Sequence, residues 1–272
     1  MCAVSSLLLL LKKVKVLQIE WHDGLVKQVA SGNITGDQWG PETADRGSFF
    51  TLTDLPRGCR VKPISLSSIP GGFTKRVETE MAEGHWFLDL TVRHEGSKIR
   101  VQQDLSCLAD SVFQDFVVRF KFHRNSFEIA TINGHCIEHR NRNIWHQYAA
   151  RNAVLRGPHG TAQVSSRNSM TCGKFISCIY VRDEPGFWIV HVRLIPSEPC
   201  DLYWIRWANR FFTVSLGDYW SRQILHWEWL KRKLWYLAER KGGRPALQAQ
   251  GLTRLARGQK IGLEAECEIN EI

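Results

Sequence analysis

The chain of 272 residues has no stretch approaching the roughly 18–20 consecutive apolar residues that a membrane-spanning helix needs. It has eight cysteines but no CxxC pair, which removes zinc-knuckle and thioredoxin-type readings. It has no Gly-rich phosphate loop, no GxSxG and no HExxH. It has no lysine-rich tail and no low-complexity tract. The leucines at 7–11 form a short run with Lys12 and Lys13 after it, the reverse of the export order. We expect that run to be a buried strand or a frayed start, not an export signal. Asn33-Ile34-Thr35 has the form of a glycosylation site, which means little without an export signal.

What is present is an ordinary globular composition. Hydrophobic residues make up 43% and charged residues 23%, which excludes wholesale disorder. The net charge is +9, densest over 119–156, where Arg119, Lys121, Arg124, Arg140, Arg142, Arg151 and Arg156 face only Glu128 and Glu138. Scattered cysteines in a chain of this length read as free thiols in a reducing compartment.

Period-two alternation dominates. Residues 85–94 and 97–105 flank Glu95-Gly96, a hairpin turn expected to pair His94 with Ser97. Val92 and Leu90 then oppose Ile99 and Val101 on an apolar face, while Thr91 and Asp89 oppose Arg100 and Gln102 on a polar one. In 116–123, Phe116, Val118, Phe120 and Phe122 point one way and Arg119, Lys121 and His123 the other. Residues 127–132 and 135–139 flank Asn133-Gly134, and 174–182 and 187–195 flank 183–186. In the last hairpin Ile179 and Val181 are expected on the side of Trp188 and Val190.

The expected fold is mainly β: an antiparallel, jelly-roll-like β-sandwich with a C-terminal helical segment. The helix is read from Trp220, Ile224, Trp227, Leu230, Leu234 and Leu237 at spacings of three and four, stopped by Gly242-Gly243. The expected segments are 1–47 (N-terminal strands and loop), 48–168 (sandwich), 169–215 (hairpin extension) and 216–272 (helical).

Candidate chemistry is sparse. His135 and His139 share a strand face about 13 Å apart, too far for one ion, so no metal is assigned. Glu128 falls opposite His139 as a cross-strand pair. Cys178 faces His191, but no third group orients a thiol nucleophile. Of the eleven tryptophans, Trp86 and Trp188 sit on clean apolar faces. Trp39 lies in a Gly/Asn/Asp-rich stretch beside Glu42 and Arg46, a grouping that suits a sugar: ring against C–H groups, charges on hydroxyls.

The order of strands over about 48–166 resembles a galectin, a β-galactoside-binding lectin with a jelly-roll sandwich. Leu55-Pro56-Arg57-Gly58 before CRVKPISL, HWFLDL (85–90), KIRVQQD (98–104), FVVRFKFHRNSF (116–127), FEIATINGH (127–135), HRNR (139–142) and AVLRGPHGTAQV (153–164) carry the resemblance. The family's H-x-N-x-R sugar strand reads Gln102, Asp104 and Ser106 here, one polar face beside Asp89. Its W-x-x-E pair stands earlier, at Trp39 and Glu42, with Arg46 two positions late; 1–47 then reads as the remnant of a first, truncated unit, or the match is coincidence.

The resemblance implies a carbohydrate-binding protein without cofactor, not an enzyme, whose galactoside site is altered or given up. The implied partners are glycans or glycoproteins, and the implied location is cytoplasmic, with export that needs no signal peptide. The alternative is a basic module for nucleic acid or another polyanion, using 119–156 with Arg140, Arg142, Trp145, His146 and Tyr148. A third reading, an enzyme on an acidic glycan, draws on Arg142, Asn143, His146 and Tyr148.

Overall fold

A computed structural model describes residues 17–22, 25–41, 60–81, 84–113, 116–141, 144–148, 150–196 and 253–272. Among these, the chain is an antiparallel β-sandwich. One sheet has seven strands, in the order β1 (Gln18–His22), β2 (Leu25–Ser31), β3 (Ile34–Pro41), β9 (Phe116–His123), β16 (Phe187–Pro196), β15 (Phe175–Glu184) and β12 (Ile144–Tyr148). The other has nine: β11 (His135–Glu138), β10 (Ile129–Ile132), β13 (Asn152–Gly157), β14 (Gly160–Met170), β18 (Lys260–Glu271), β7 (Lys98–Cys107), β6 (Gly84–Glu95), β5 (Gly72–Met81) and β4 (Arg60–Ile69). A small ribbon pairs β8 (Ser111–Phe113) with β17 (Thr253–Leu255).

Alternation explains the two layers. Trp86, Leu88, Leu90 and Val92 of β6 are buried in one core with Phe116, Val118, Phe120 and Phe122 of β9 and Trp188, Val190, Val192 and Leu194 of β16. Each such side chain contributes roughly 1.5–3 kcal/mol on burial. Trp188 satisfies its indole by donating to the Phe127 carbonyl at 2.9 Å.

The hairpins follow their turn chemistry. Asn133 (φ 47°) and Gly134 (φ 76°) both adopt the left-handed turn, and Ile132 pairs with His135. Ile179 and Val181 do share a face with Trp188 and Val190, because Val181 pairs with Val190. The β6–β7 hairpin departs from expectation. Its turn is Gly96-Ser97, with Gly96 taking the positive φ of 59° at the first central position, so Glu95 faces Lys98. The partner of every β6 residue moves by two. An even shift leaves each side chain on its expected face, but now Asp89 opposes Asp104 and Arg93 opposes Arg100.

One further expectation changes. The stretch 260–271, placed within the helical segment 216–272, is a strand between β7 and β14. Its sequence, KIGLEAECEINE, alternates like any half-buried strand. Strands β3, β9 and β16 are adjacent in one sheet, and β14, β18 and β7 in the other. The leucines at 7–11 and the apolar stripe of 217–241 lie outside the described residues. Among those residues no helix is long and apolar enough to cross a membrane.

One core position carries a cost. Gln103, between Leu90 and Leu263 on neighbouring strands, is fully buried, and neither amide atom has a hydrogen-bond partner among the described residues. An unpaired buried polar group costs about 1–3 kcal/mol. Gln103→Met keeps the length and removes the amide. It is expected to raise stability by roughly that amount, measured by urea denaturation; a loss of stability would show that the amide is satisfied.

Candidate functional site

The outward face of the nine-stranded sheet is polar at its centre. Three aligned rows run across β6, β7, β18 and β14. Asp89, Asp104 and Gly262 are opposed in the first, with Arg76 of β5 beyond Asp89. Thr91, Gln102, Glu264 and Asn168 form the second, and Arg93, Arg100, Glu266 and Ser165 the third.

Asp104 is the most perturbed carboxyl of the first row. Burial raises its pKa, the Gln102 hydrogen bond at 2.8 Å lowers it, and the charge of Asp89 raises it again; the net shift is upward. Asp89 faces Arg76, whose Nε lies 3.4 Å from it. Two facing carboxyls, one beside a guanidinium and one partly buried, have unequal surroundings, the arrangement general acid–base chemistry uses. Gly262 makes room for this: a Cβ there would run into the Asp104 carboxylate oxygen. Glu264 sits opposite Gln102 and diagonal to Asp104, about 7–8 Å along the sheet. Glu264 has no hydrogen-bond or ion-pair partner among the described residues.

Glu266 anchors the third row. Its side chain is 6% exposed, and its Oε2 accepts from Arg100 Nε at 2.6 Å and from an Arg167 terminal nitrogen at 3.1 Å. Burial opposes ionisation, but these two arginines outweigh it and hold the carboxyl below its ordinary value.

A second buried cluster lies on the opposite layer. His139 Nδ1 is 3.1 Å from Asp183, and its Nε2 is 2.8 Å from the Phe187 carbonyl. Asp183 also accepts from the backbone amides of Arg140 and Asn141. The carboxylate expected for His139 was Glu128; it is Asp183, because the chain turns away after β11. Cys178 pairs with Arg193 rather than His191, which packs edge-on against Tyr180 at 4.5 Å. Burial first, then Arg193, Arg119 and Arg182, hold His191 well below the usual imidazole range. With every ligand-like group turned to hydrogen bonds or stacking, this cluster reads as architecture.

The sequence-derived sugar residues divide. Gln102, Asp104, Ser106 and Asp89 share the polar face of β6 and β7. Trp39 does not join them. It is 2% exposed inside β3, stacked on Phe120 and Phe122, with its indole donating to the Lys121 carbonyl at 2.7 Å. Glu42 and Arg46 lie outside the described residues. Gly262, Glu264 and Glu266 were missed with their strand, and Arg100, expected opposite Thr91, lies opposite Arg93. The alternation of Glu264, Glu266 and Glu268 was the available signal. Among the described residues no group of three or more histidine, cysteine or carboxylate side chains is placed to hold a metal ion.

Comparison with solved structures defines the fold class. A galactose mutarotase related enzyme from Lactobacillus acidophilus superposes with a TM-score of 0.50 at 8% identity, over 94% of this chain and 95% of that one. A galactose mutarotase-like protein from Clostridium acetobutylicum gives 0.43 at 7% identity, over 94% and 78%. One from Lactobacillus casei ATCC 334 gives 0.42 at 10%, over 93% and 100%. No family model matches the sequence, and no curated protein matches it.

This corrects the galectin resemblance and the lectin reading built on it. The structure that superposes at a TM-score of 0.50 spans nearly the whole chain and is described as a galactose mutarotase related enzyme, not a galectin. The motifs that carried the resemblance are alternating strands and hairpin turns, which any antiparallel sandwich shares. The polyanion reading falls as well. Lys121 on the seven-stranded sheet is paired with Asp37 at 3.3 Å, whereas Arg156 on the nine-stranded sheet binds the Thr131 hydroxyl at 2.9 Å, so the basic stretch does not make one face. The expectation of a protein without enzymatic activity was built on the lectin reading and falls with it.

Replacing Glu266 by Gln leaves two guanidiniums on a neutral amide. Both are half in water, so the expected loss is about 1–3 kcal/mol, below the ~3–5 kcal/mol of a fully buried pair. Because the folded pKa is depressed, this contribution is present above about 4.5 and disappears as pH falls through the lower folded value. Denaturation midpoints of both proteins between pH 3 and pH 7 should therefore converge at the acid end. A constant difference would contradict the assignment.

Proposed function

We propose that this protein is an enzyme that interconverts the anomers of an aldose, with the polar face of β6, β7 and β18 as its active site. Ring opening needs a proton delivered to the ring oxygen and another taken from the anomeric hydroxyl, while the bond from the anomeric carbon to the ring oxygen breaks. Rotation about the adjacent carbon–carbon bond and reclosure from the other face reverse both transfers. The reaction is redox-neutral, and two carboxyl groups at opposite stages of protonation suffice for it.

Asp104 is the proton donor: burial and the neighbouring Asp89 raise its pKa above the usual aspartate value. Glu264, with no hydrogen bond or ion pair among the described residues, takes the hydroxyl proton. Asp89, Thr91 and Gln102 are spaced to bind hydroxyls. The observation that carries the reading is the upward-shifted Asp104 seated over Gly262, with Glu264 diagonal to it on the next strand. The fold shared with the Lactobacillus acidophilus enzyme, described as related to galactose mutarotase, agrees with it. The described cysteines are all free thiols, which suits action in the cytosol.

The test is the approach of freshly dissolved α-D-galactose and α-D-glucose to anomeric equilibrium, followed by polarimetry. The rate should rise in proportion to protein concentration. Asp104→Asn and Glu264→Gln should each lower it by about 10²–10⁴-fold. Asp104→Asn should still fold, since the amide oxygen can accept the Gln102 hydrogen bond. Rates equal to buffer alone for both sugars would overturn the proposal.

A further inference from the structure

Arg93 and Arg100 are directly opposed on the polar face. Like charges in that position repel and weaken a sheet. Arg100 is fixed through its Nε on buried Glu266, so its terminal nitrogens stay uncommitted, and its side chain remains 45% exposed. Arg167 grips the same carboxylate oxygen from β14. Arg93 has no hydrogen-bond or ion-pair partner among the described residues. Two guanidiniums, Arg100 and Arg167, thus hold one carboxylate, and a third, Arg93, stands opposite Arg100 in the same row. This row lies four residues, or roughly 13 Å, along the strands from Asp89 and Asp104.

We infer that this row is an anion subsite, and that the preferred sugar carries a carboxylate or a phosphate at the end away from its anomeric carbon. The inference rests on the anomer-exchange reading and names its substrate class. A planar guanidinium fork matches either oxyanion, and the bound anion would relieve the Arg93–Arg100 repulsion. Glu266 positions Arg100 rather than binding substrate. Glu264 and Glu95, the other carboxylates that act on Arg100, lie one row away on either side and oppose an anion placed off the arginine row.

The experiment measures anomer exchange by NMR for glucose, glucuronate and glucose 6-phosphate. For at least one charged sugar, kcat/KM should exceed that for glucose by roughly ten- to hundredfold at low salt, a margin that shrinks as salt rises. Whichever of the two leads identifies the anion as carboxylate or phosphate. Arg93→Ala should abolish the margin and Arg93→Lys restore part of it. Equal kcat/KM for all three sugars, unmoved by Arg93→Ala, would overturn the subsite and leave the exchange activity standing. If no sugar exchanges, the activity fails instead. Titration with inorganic phosphate then decides the subsite separately: binding that Arg93→Ala removes supports it, and no binding overturns it.

Discussion

Strand β18 is the constraint on which the molecule depends. It pairs with β7 along one edge and β14 along the other, and without it the nine-stranded sheet is two smaller sheets. Its inward residues, Ile261, Leu263, Ala265, Cys267 and Ile269, are fully or almost fully buried in the core. Burial drives the Cys267 thiol well above its usual range, so it behaves as a small apolar side chain. The outward residues of the same strand supply Gly262, Glu264 and Glu266. One strand therefore closes the fold and furnishes half of the candidate site, so any change of its register would lose both together.

The polar face is costly in the way functional surfaces are. Asp104 is held partly out of water beside Asp89, and Arg93 is held against Arg100. Neither pairing helps the sheet. Elsewhere the same sheet follows the stabilising rule, with Arg60 against Glu80 at 3.0 Å and Lys98 against Glu268 at 3.3 Å. The contrast between complementary pairs at the periphery and like-charged pairs at the centre is what the proposed function requires, with a ligand completing the charge pattern there.

Much of the sandwich was legible because alternation is local. Phe116, Val118, Phe120 and Phe122 faced inward as expected, and Asn133-Gly134 made its turn. What alternation does not carry is pairing. The β6–β7 turn moved by one residue because Gly96 can take the positive φ at either turn position, and every cross-strand neighbour changed. The polar faces survived that shift; the Asp89–Asp104 opposition could not be seen without it. Strand β18 was hidden differently. Its partners β7 and β14 lie far earlier in the chain, and nothing local in KIGLEAECEINE names them. Trp39 misled because neighbouring Gly, Asn and Asp suggested a loop, whereas packing on Phe120 and Phe122 draws it into the core.

The account turns on Asp104 seated over Gly262, and Gly262→Ala tests that contact most directly. The backbone there is an ordinary strand conformation that alanine adopts readily, so stability should hold or rise by about 0.4–1 kcal/mol. The new methyl would push aside the Asp104 carboxylate, the free end of a side chain. Thermal unfolding and anomer exchange measured on the same preparation should therefore separate. The predicted result is an unchanged or raised Tm with exchange lowered on the order of 100-fold. Exchange at the wild-type rate in a protein that folds normally would contradict the account.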